Sequence, residues 1–582
     1  MNEHLVSFDA HFGERIPDIS VDAPHLMVPF KARHLPQARV VWTNRRWLAQ
    51  QGLNPWDAAV LAAFERWVLD SFAVASVVEG EQPEGRDVRW VDADRYGSST
   101  GMNPHGGSGR VATIGRFQVK GIGITPLTSA AAPDDYASGA MPLEEGIREA
   151  LYSEVAAQEF PGGVVPVVAV LDTGMTAPDF ERRTGHVRRG LLVRPAVHRA
   201  AHVERAPMFT RAIVPGAVNH PDDALRCREM VRAWLKPHGG DANAALMDHL
   251  SLVARQLAFA QVNRLSVGGY FTSNVTLGGQ CLDFGNMHAF ASWSESRVLV
   301  NIPGLGREQV MVKRALGSLA HFLHRLSDTR RPVDPHKLAS TFEQMHEEAI
   351  SAEFRRMAGV NVPGISSRAA ELVEQVLRQT FRQHQRSRAV YKFGRVAHRA
   401  GPFPGESGAG SEHESLCRTI ESTWASEGIE DNASLAHIER VLRQRLRPRR
   451  DIDRRDLMDT LRELLDDEGG EISRSRVETE MQRRTSCARR VWPSLPPALS
   501  VLNHVSLEGS SLLRCSSADS QVEVLWAEGP MVGETPFFFG SPLSGLLSGR
   551  IVVCGPMWHI DTAVDDHSLA AAPLKIAEGM MP

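Results

Sequence analysis

Residues 273–285 read SNVTLGGQCLDFG. Asn274 stands nine positions ahead of Asp283. Between them VTLGGQCLDF (275–284) has the pattern of a short hairpin, two apolar arms around a Gly-Gly turn, which folds its two ends towards one another. A carboxamide oxygen and a carboxylate brought together are hard oxygen donors, few in number, a set that suits Mg²⁺. Asp-Phe-Gly alone is a common tripeptide; the asparagine and the hairpin ahead of it give it meaning.

Working upstream, three further features precede this stretch. Gly106-Gly107-Ser108-Gly109-Arg110 comes immediately before a strand. Glycines let a backbone approach an anion, and successive N–H groups can cradle phosphate oxygens. GRVATIGRFQVKG then reads as two strands, the second carrying Lys120, which can reach phosphates beneath the glycine turn. PLEEGIREALYSEVAAQE (142–159) reads as a helix, with Pro142 in the first turn and Glu144 and Glu145 complementing its dipole. Glu149 lies on that helix. Protein kinases use this order of parts: a glycine turn, a strand lysine, a helix glutamate that holds the lysine, a loop asparagine and a DFG aspartate. Taken singly, each also has a structural reading, as a turn, an exposed strand lysine or a solvated helix face.

The rest of the chain sets the frame. It has 582 residues, enough for several domains, with 42% hydrophobic and 23% charged residues. The 65 basic and 69 acidic residues leave a formal charge of −4, so no global attraction to nucleic acid or an anionic membrane is expected. No run of about 18 apolar residues occurs, and the charged N-terminus lacks the apolar core of a secretory signal. Cys227, Cys281, Cys417, Cys487, Cys515 and Cys554 form no CxxC pair, so neither a zinc site nor a disulfide framework is indicated and a reducing cytoplasm is the expected compartment. Helices are expected around 55–73, 222–265 and 307–327, and a buried strand at VVPVVAVLDTG (164–174). Residues 336–398 and 416–490 read as charged helices on either side of a linker-like stretch at 401–415. The tail (492–582) reads as strands between Gly and Ser turns. The arginines of RQRLRPRRDIDRR (443–455) read as solvated helix faces among nearby acids. His105, His198 and His202 read as surface or structural histidines rather than zinc ligands.

Spread over about 300 residues, the chain resembles the selenoprotein O family. WTNRRWLAQQGLNP (42–55) looks like that family's N-terminal segment, GGSGR like its nucleotide loop, and QVKGIGITPL (118–127) like the block bearing its nucleotide lysine. SGAMPLEEGIREALYSE (138–154) is similar to its second nucleotide loop and the following helix. LLVRPAVHRAAHVE (191–204) resembles a segment with two nucleotide-binding arginines, with an apparent two-residue deletion. The resemblance implies ATP contacts at Gly107, Gly109, Arg110, Lys120, Ser138, Gly139, Arg194, Arg199 and Asp283, a supporting role for Glu149, and metal ligation by Asn274 and Asp283. It implies a protein-kinase-like two-lobed core; with the helical region and the small β-rich region read from the pattern that follows it, the expected fold class is α+β. The expected boundaries are 1–160 (N-terminal segment and N-lobe), 161–335 (C-lobe), 336–490 (helical) and 491–582 (β-rich). It further implies ATP with Mg²⁺ or Mn²⁺, and transfer of AMP to hydroxyl groups of proteins.

The sequence departs from that pattern in several places. Ser273 replaces the aspartate that accepts the proton, Ser138 replaces a nucleotide-loop aspartate, Ala140 replaces an arginine, and the C-terminal third matches nothing in the family. A serine does not accept a proton at neutral pH without another base, whose contribution is typically about 10²–10⁴-fold. Three readings stay open: AMP transfer to a protein hydroxyl or small molecule, ATP-dependent activation of a carboxylate metabolite, and nucleotide binding without catalysis.

Overall fold

A computed structural model describes residues 7–485 apart from 78–87, 98–104, 133–136, 179–184, 207–208, 215–222, 291, 294, 300–304, 328–332, 362–363, 387–388, 394–408, 447–448 and 466–471. Beyond 485 it describes the strands Leu499–Leu507, Ser510–Ser517, Glu523–Glu528, Arg550–Val553 and Trp558–Asp561. The fold is mixed α+β, a large antiparallel sheet followed by a predominantly helical part.

Nine strands build the sheet: β1 (Met27–His34), β2 (Arg39–Thr43), β3 (Val74–Ser76), β4 (Val88–Asp94), β5 (Val111–Ile114), β6 (Phe117–Lys120), β7 (Met141–Pro142), β8 (Ala169–Pro178) and β9 (His186–Pro195). Their order is β2-β8-β9-β6-β5-β4-β1-β3, with β7 also pairing to β9. The expected boundary at residue 160 therefore falls inside the sheet, since β8 and β9 follow it. Local pattern marked 164–174 as a buried strand; the place of β8 between β2 and β9 is set by pairing at long range, which periodicity does not encode.

Alternation of side chains gives the sheet two faces. Phe117 and Val119 of β6, with Leu191 and Val193 of β9, join an aromatic core containing Phe8, Phe12, Trp47, Phe64 and Phe72. Gln118, Lys120 and Arg194 take the alternate positions, as does Leu192, which belongs to the other core. That second face is covered by the helix Leu143–Glu159, in which fourteen of seventeen residues are buried. A helix buried nearly all round packs on more than one partner. It meets β8 and β9, the turn Phe284–Asn286, and the helices Arg454–Leu465 and Arg474–Thr485. Pro142 sits at its N-cap rather than inside the first turn, and Glu144 and Glu145 occupy that turn.

The expected helix over 222–265 is two helices, Asp223–Leu235 and Ala242–Val262, the second capped by Asp241 accepting from the Asn243 and Ala244 amides. Pro335–Ala358 starts with an Asp334 cap and ends at Gly359 in the left-handed region. Residues 409–415, expected as linker, begin the helix Ala409–Ser426, drawn into shape by the buried stripe Leu416, Ile420 and Trp424; 401–408 lie outside the described residues. Nor are the arginines of 443–455 uniformly solvated. Arg449 is 3% exposed and makes a two-pronged ion pair with the fully buried Glu159, at 2.7 and 2.6 Å. Leu457, Leu461, Val477 and Met481 share one hydrophobic core with the helix Leu143–Glu159, so this charged region is built into the centre of the molecule. Cys227, Cys281 and Cys417 are buried thiols; the side chains of the other three cysteines lie outside the described residues. Among the described residues no helix is long and apolar enough to cross a membrane.

Candidate functional site

Lys120 ends β6 and points onto the face covered by the helix Leu143–Glu159. Its Nζ lies 2.6 Å from Glu149 Oε2, 2.9 Å from Asp283 Oδ1 and 3.4 Å from Glu145 Oε1. Glu145 and Glu149 are one helical turn apart, which brings both carboxylates to the same face. Glu145 also holds Arg110, whose Nη2 and Nη1 lie 2.7 and 3.5 Å from its two oxygens. Burial opposes the charge on Lys120, but Asp283 and Glu149 outweigh it and hold the ammonium above the usual lysine value. Burial likewise opposes ionisation of Glu145, yet Arg110 and Lys120 bring it down to about 2. Asp283 is held well below the usual carboxylate range, Lys120 and Arg194 overcoming its burial. Glu149 is pushed up by burial; Lys120 pulls against this and Asp283 adds to it.

A second polar layer lies beside this cluster. In the β6–β9 register Gln118 stands opposite Arg194, so their side chains share a face. Gln118 Oε1 accepts from Arg194 Nε and from Arg199 Nη2, both at 3.3 Å, while its Nε2 donates to Asp94 Oδ1 at 3.2 Å. Asp94 ends β4, is fully buried, and accepts from the Ser108 hydroxyl at 2.6 Å. Arg199 also donates to the Ser273 carbonyl at 2.8 Å and stacks over the Tyr96 ring. Arg194 Nη1 lies 3.6 Å from Glu149 Oε1, beyond hydrogen-bond reach. Among the described residues, Arg194 Nη1, Arg199 Nε and Glu149 Oε1 are buried with no hydrogen-bond partner.

His202, read from sequence as surface or structural, is fully buried and locks this layer. Its Nδ1 accepts from the Arg199 backbone N–H at 3.0 Å, so the ring proton sits on Nε2 and is donated to Asp94 Oδ2 at 2.9 Å. Burial pushes the imidazole down to about 4 despite Asp94. A second ring proton at Nδ1 would also face the Arg199 N–H. At neutral pH the contact is thus a hydrogen bond from a neutral ring, not an ion pair. His198 bonds the Ile19 carbonyl and His105 accepts from the Ser129 amide, both structural roles.

The glycine turn passes close beneath β4. Gly107 has φ +153°, and a Cβ there would lie 2.2 Å from the Asp94 carbonyl oxygen. Ser108 to Arg110 leads directly into β5. Gly139 has φ +62° with its backbone against Gly123, and Ser138 Oγ accepts from the Ala140 amide at 3.3 Å. Ser138 and Gly139 therefore flank the end of the Lys120 strand; among the described residues none of their hydrogen bonds reaches the Lys120 cluster.

At the far side, Thr272–Asn274 forms a short helical turn and Val275 bridges Cys281, closing the expected hairpin. The Leu282 amide donates to the Asn274 carbonyl at 3.0 Å, which sets Asn274 beside the residue before Asp283. The Ser273 hydroxyl donates to Asn274 Oδ1 at 3.3 Å. Asp283 adopts φ 65°, ψ 67°, a left-handed conformation uncommon outside glycine but tolerated by Asp. Its side chain stays 31% exposed.

Lys120, Glu149, Arg194 and Asp283 thus meet directly, with Arg110 reached through Glu145 and Arg199 through Gln118. Asp94 and Gln118, which the sequence did not mark, complete the cluster with Glu145, read only as a helix-dipole acid, and His202, read as surface or structural. The even spacing of Gln118 and Lys120 on one strand was the available signal for the first step of that network. No protein-family model matches the chain, and no match to it is found among curated proteins.

Proposed function

We propose that the chain has a kinase-like, two-lobed core of the selenoprotein O type that binds ATP with Mg²⁺ or Mn²⁺ and transfers AMP to a protein hydroxyl or a small-molecule acceptor. The observation that carries this reading is the buried convergence of Lys120, Arg194 and Arg199, in which Arg194 Nη1 and Arg199 Nε have no hydrogen-bond partner among the described residues. Buried guanidinium N–H groups are normally satisfied, and phosphate oxygens are the natural partners of planar, permanently charged donors. Asp283 is ionised, partly exposed and oxygen-donating, and Asn274 offers a carboxamide oxygen, so the donor set fits a hard divalent cation. Such a cation would neutralise phosphate charge. In the transfer, an acceptor oxygen bonds to the α-phosphorus, the bond to the bridging oxygen breaks and pyrophosphate leaves; a hydroxyl acceptor also gives up its O–H proton, to water or to the departing pyrophosphate. Lys120 and the two arginines would hold the charge on the phosphate oxygens, which is where most of the acceleration in phosphoryl-type transfer arises.

The Ser273 hydroxyl, turned to Asn274, favours a second reading. With no carboxylate at this position, an acceptor that is already ionised, such as a carboxylate metabolite, needs no base. Nucleotide binding without turnover fits the same observation. Incubation with α-labelled and γ-labelled ATP in parallel, with and without Mg²⁺ or Mn²⁺, separates the cases. Protein labelled only from the α position is the expected result. Labelling from γ would mean a kinase, pyrophosphate without protein labelling an activated small molecule, and ATP binding without reaction a non-catalytic role. No ATP binding at all would remove the proposal.

A further inference from the structure

We propose that Arg454, from the C-terminal helical region, is a positioning residue for Asp283. The inference rests on the reading of Asp283 as a metal ligand. Two guanidinium groups converge on one carbonyl, that of Gly285: Arg148 Nε at 3.1 Å and Arg454 Nη1 at 2.6 Å. Both lone pairs of that oxygen are thereby engaged two residues after Asp283. Arg148 is itself oriented from the same region, its Nη1 lying 2.6 Å from Met458 Sδ. Phe284, between the two clamped ends, is buried against Phe160.

The brace extends along one face of the helix Leu143–Glu159. Arg148, Tyr152 and Glu159 lie at positions i, i+4 and i+11, and each meets the 449–458 segment: Arg148 at Met458, the Tyr152 hydroxyl at the Ile452 carbonyl, and Glu159 at Arg449. Glu145 and Glu149 leave the same helix on the side of Lys120. Arg484, fully buried, ties the brace from behind through the Asp451 carbonyl and Asp456. One C-terminal element thus fixes both the helix that supplies Glu149 and the turn that supplies Asp283. The left-handed backbone at Asp283 persists only where its surroundings over-determine it. Lys120 holds the side chain; Arg148 and Arg454 hold the turn.

The test uses the full chain with Arg454→Ala, Arg454→Lys and, as a control, Arg368→Ala, which breaks an exposed ion pair to Glu427. Hydrogen exchange of peptides spanning 283–287 is measured without nucleotide, and ATP affinity with Mg²⁺ and with chelator. Arg454→Ala is expected to speed exchange at 283–287 and to reduce the Mg²⁺-dependent gain in ATP affinity about tenfold, the worth of one charge-assisted hydrogen bond. Affinity under chelator should stay as in the unaltered chain, and Arg454→Lys should recover part of the loss. Exchange equal to that of the Arg368→Ala control overturns the proposal, as does equal weakening with and without metal. An unaltered chain that binds no ATP defeats the nucleotide reading instead, and the exchange measurement still decides the brace.

Discussion

Lys120 Nζ and Asp283 Oδ1 are 2.9 Å apart across 163 positions of the chain. Lys120 also serves Glu149, which is fully buried, so removing the ammonium leaves buried carboxylate charge with less compensation. Breaking a buried pair from one side typically destabilises by about 3–5 kcal/mol. Lys120→Met should lower stability on that scale, and the double variant Lys120→Met/Glu149→Gln should recover part of it, as read by chemical denaturation. Lys120→Met, Arg194→Ala and Arg199→Ala should each weaken ATP binding about tenfold or more, from lost charge-assisted contacts. Calorimetry showing unchanged affinity in all three would remove the proposed pocket.

Asp283→Asn separates backbone from charge. Asparagine tolerates the left-handed conformation about as well as aspartate. The chain should fold, with Lys120 still offered an oxygen, while the extra thermal stabilisation that Mg²⁺ adds to ATP disappears. A thermal shift with Mg²⁺–ATP equal to that of the unaltered chain would mean the metal sits elsewhere.

Ser273→Asp asks what the acceptor is. For transfer to hydroxyl groups, restoring a base should raise the rate by up to about 10²–10⁴-fold. For an anionic acceptor, a new negative charge beside the substrate should slow it. Without catalysis, neither form turns over. AMP transfer by both forms, to a generic protein and to a panel of carboxylate metabolites, distinguishes these outcomes; a faster variant on carboxylates would sink the anionic-acceptor reading.

The buried histidines set an acid limit. Burial brings His202 and His249 from an ordinary 6.5 down to about 4, so both are neutral in the folded state at neutral pH. The unfolded chain takes up their protons first as pH falls. Their contribution to stability is complete above about pH 6.5 and is lost on descending to about 4, at up to about 1.4 kcal/mol per pH unit for each. Denaturant midpoints should fall across that window, and His249→Gln should flatten the slope. A slope identical with and without His249 would show that it titrates elsewhere.

Local signals carried the sequence reading a fair distance. The helix Leu143–Glu159 announced itself by Pro142 and its acidic first turn, the 275–284 hairpin by its Gly-Gly turn, and the helix Ala58–Phe72 by the period of Leu61, Phe64 and Val68. What stayed hidden depends on distant pairing. Asp94 reaches His202 across 108 positions and Gln118 across 24, and no composition or period connects them. Arg449, which pairs with Glu159 across 290 positions, read as part of a solvated helix face because a buried ion pair has no local signature. The sheet positions of β8 and β9 were lost for the same reason, since register is a property of two strands and not of one.

The Arg449–Glu159 pair also bears on where the molecule can be divided. Residues 1–335 contain the candidate site and look, by residue count, like a self-sufficient fragment. Cutting there would strand Glu159 as a buried anion and strip Leu457, Leu461, Val477 and Met481 from the flank of the helix that carries Glu149. A fragment that keeps these contacts around Lys120 extends at least through the helix Arg474–Thr485.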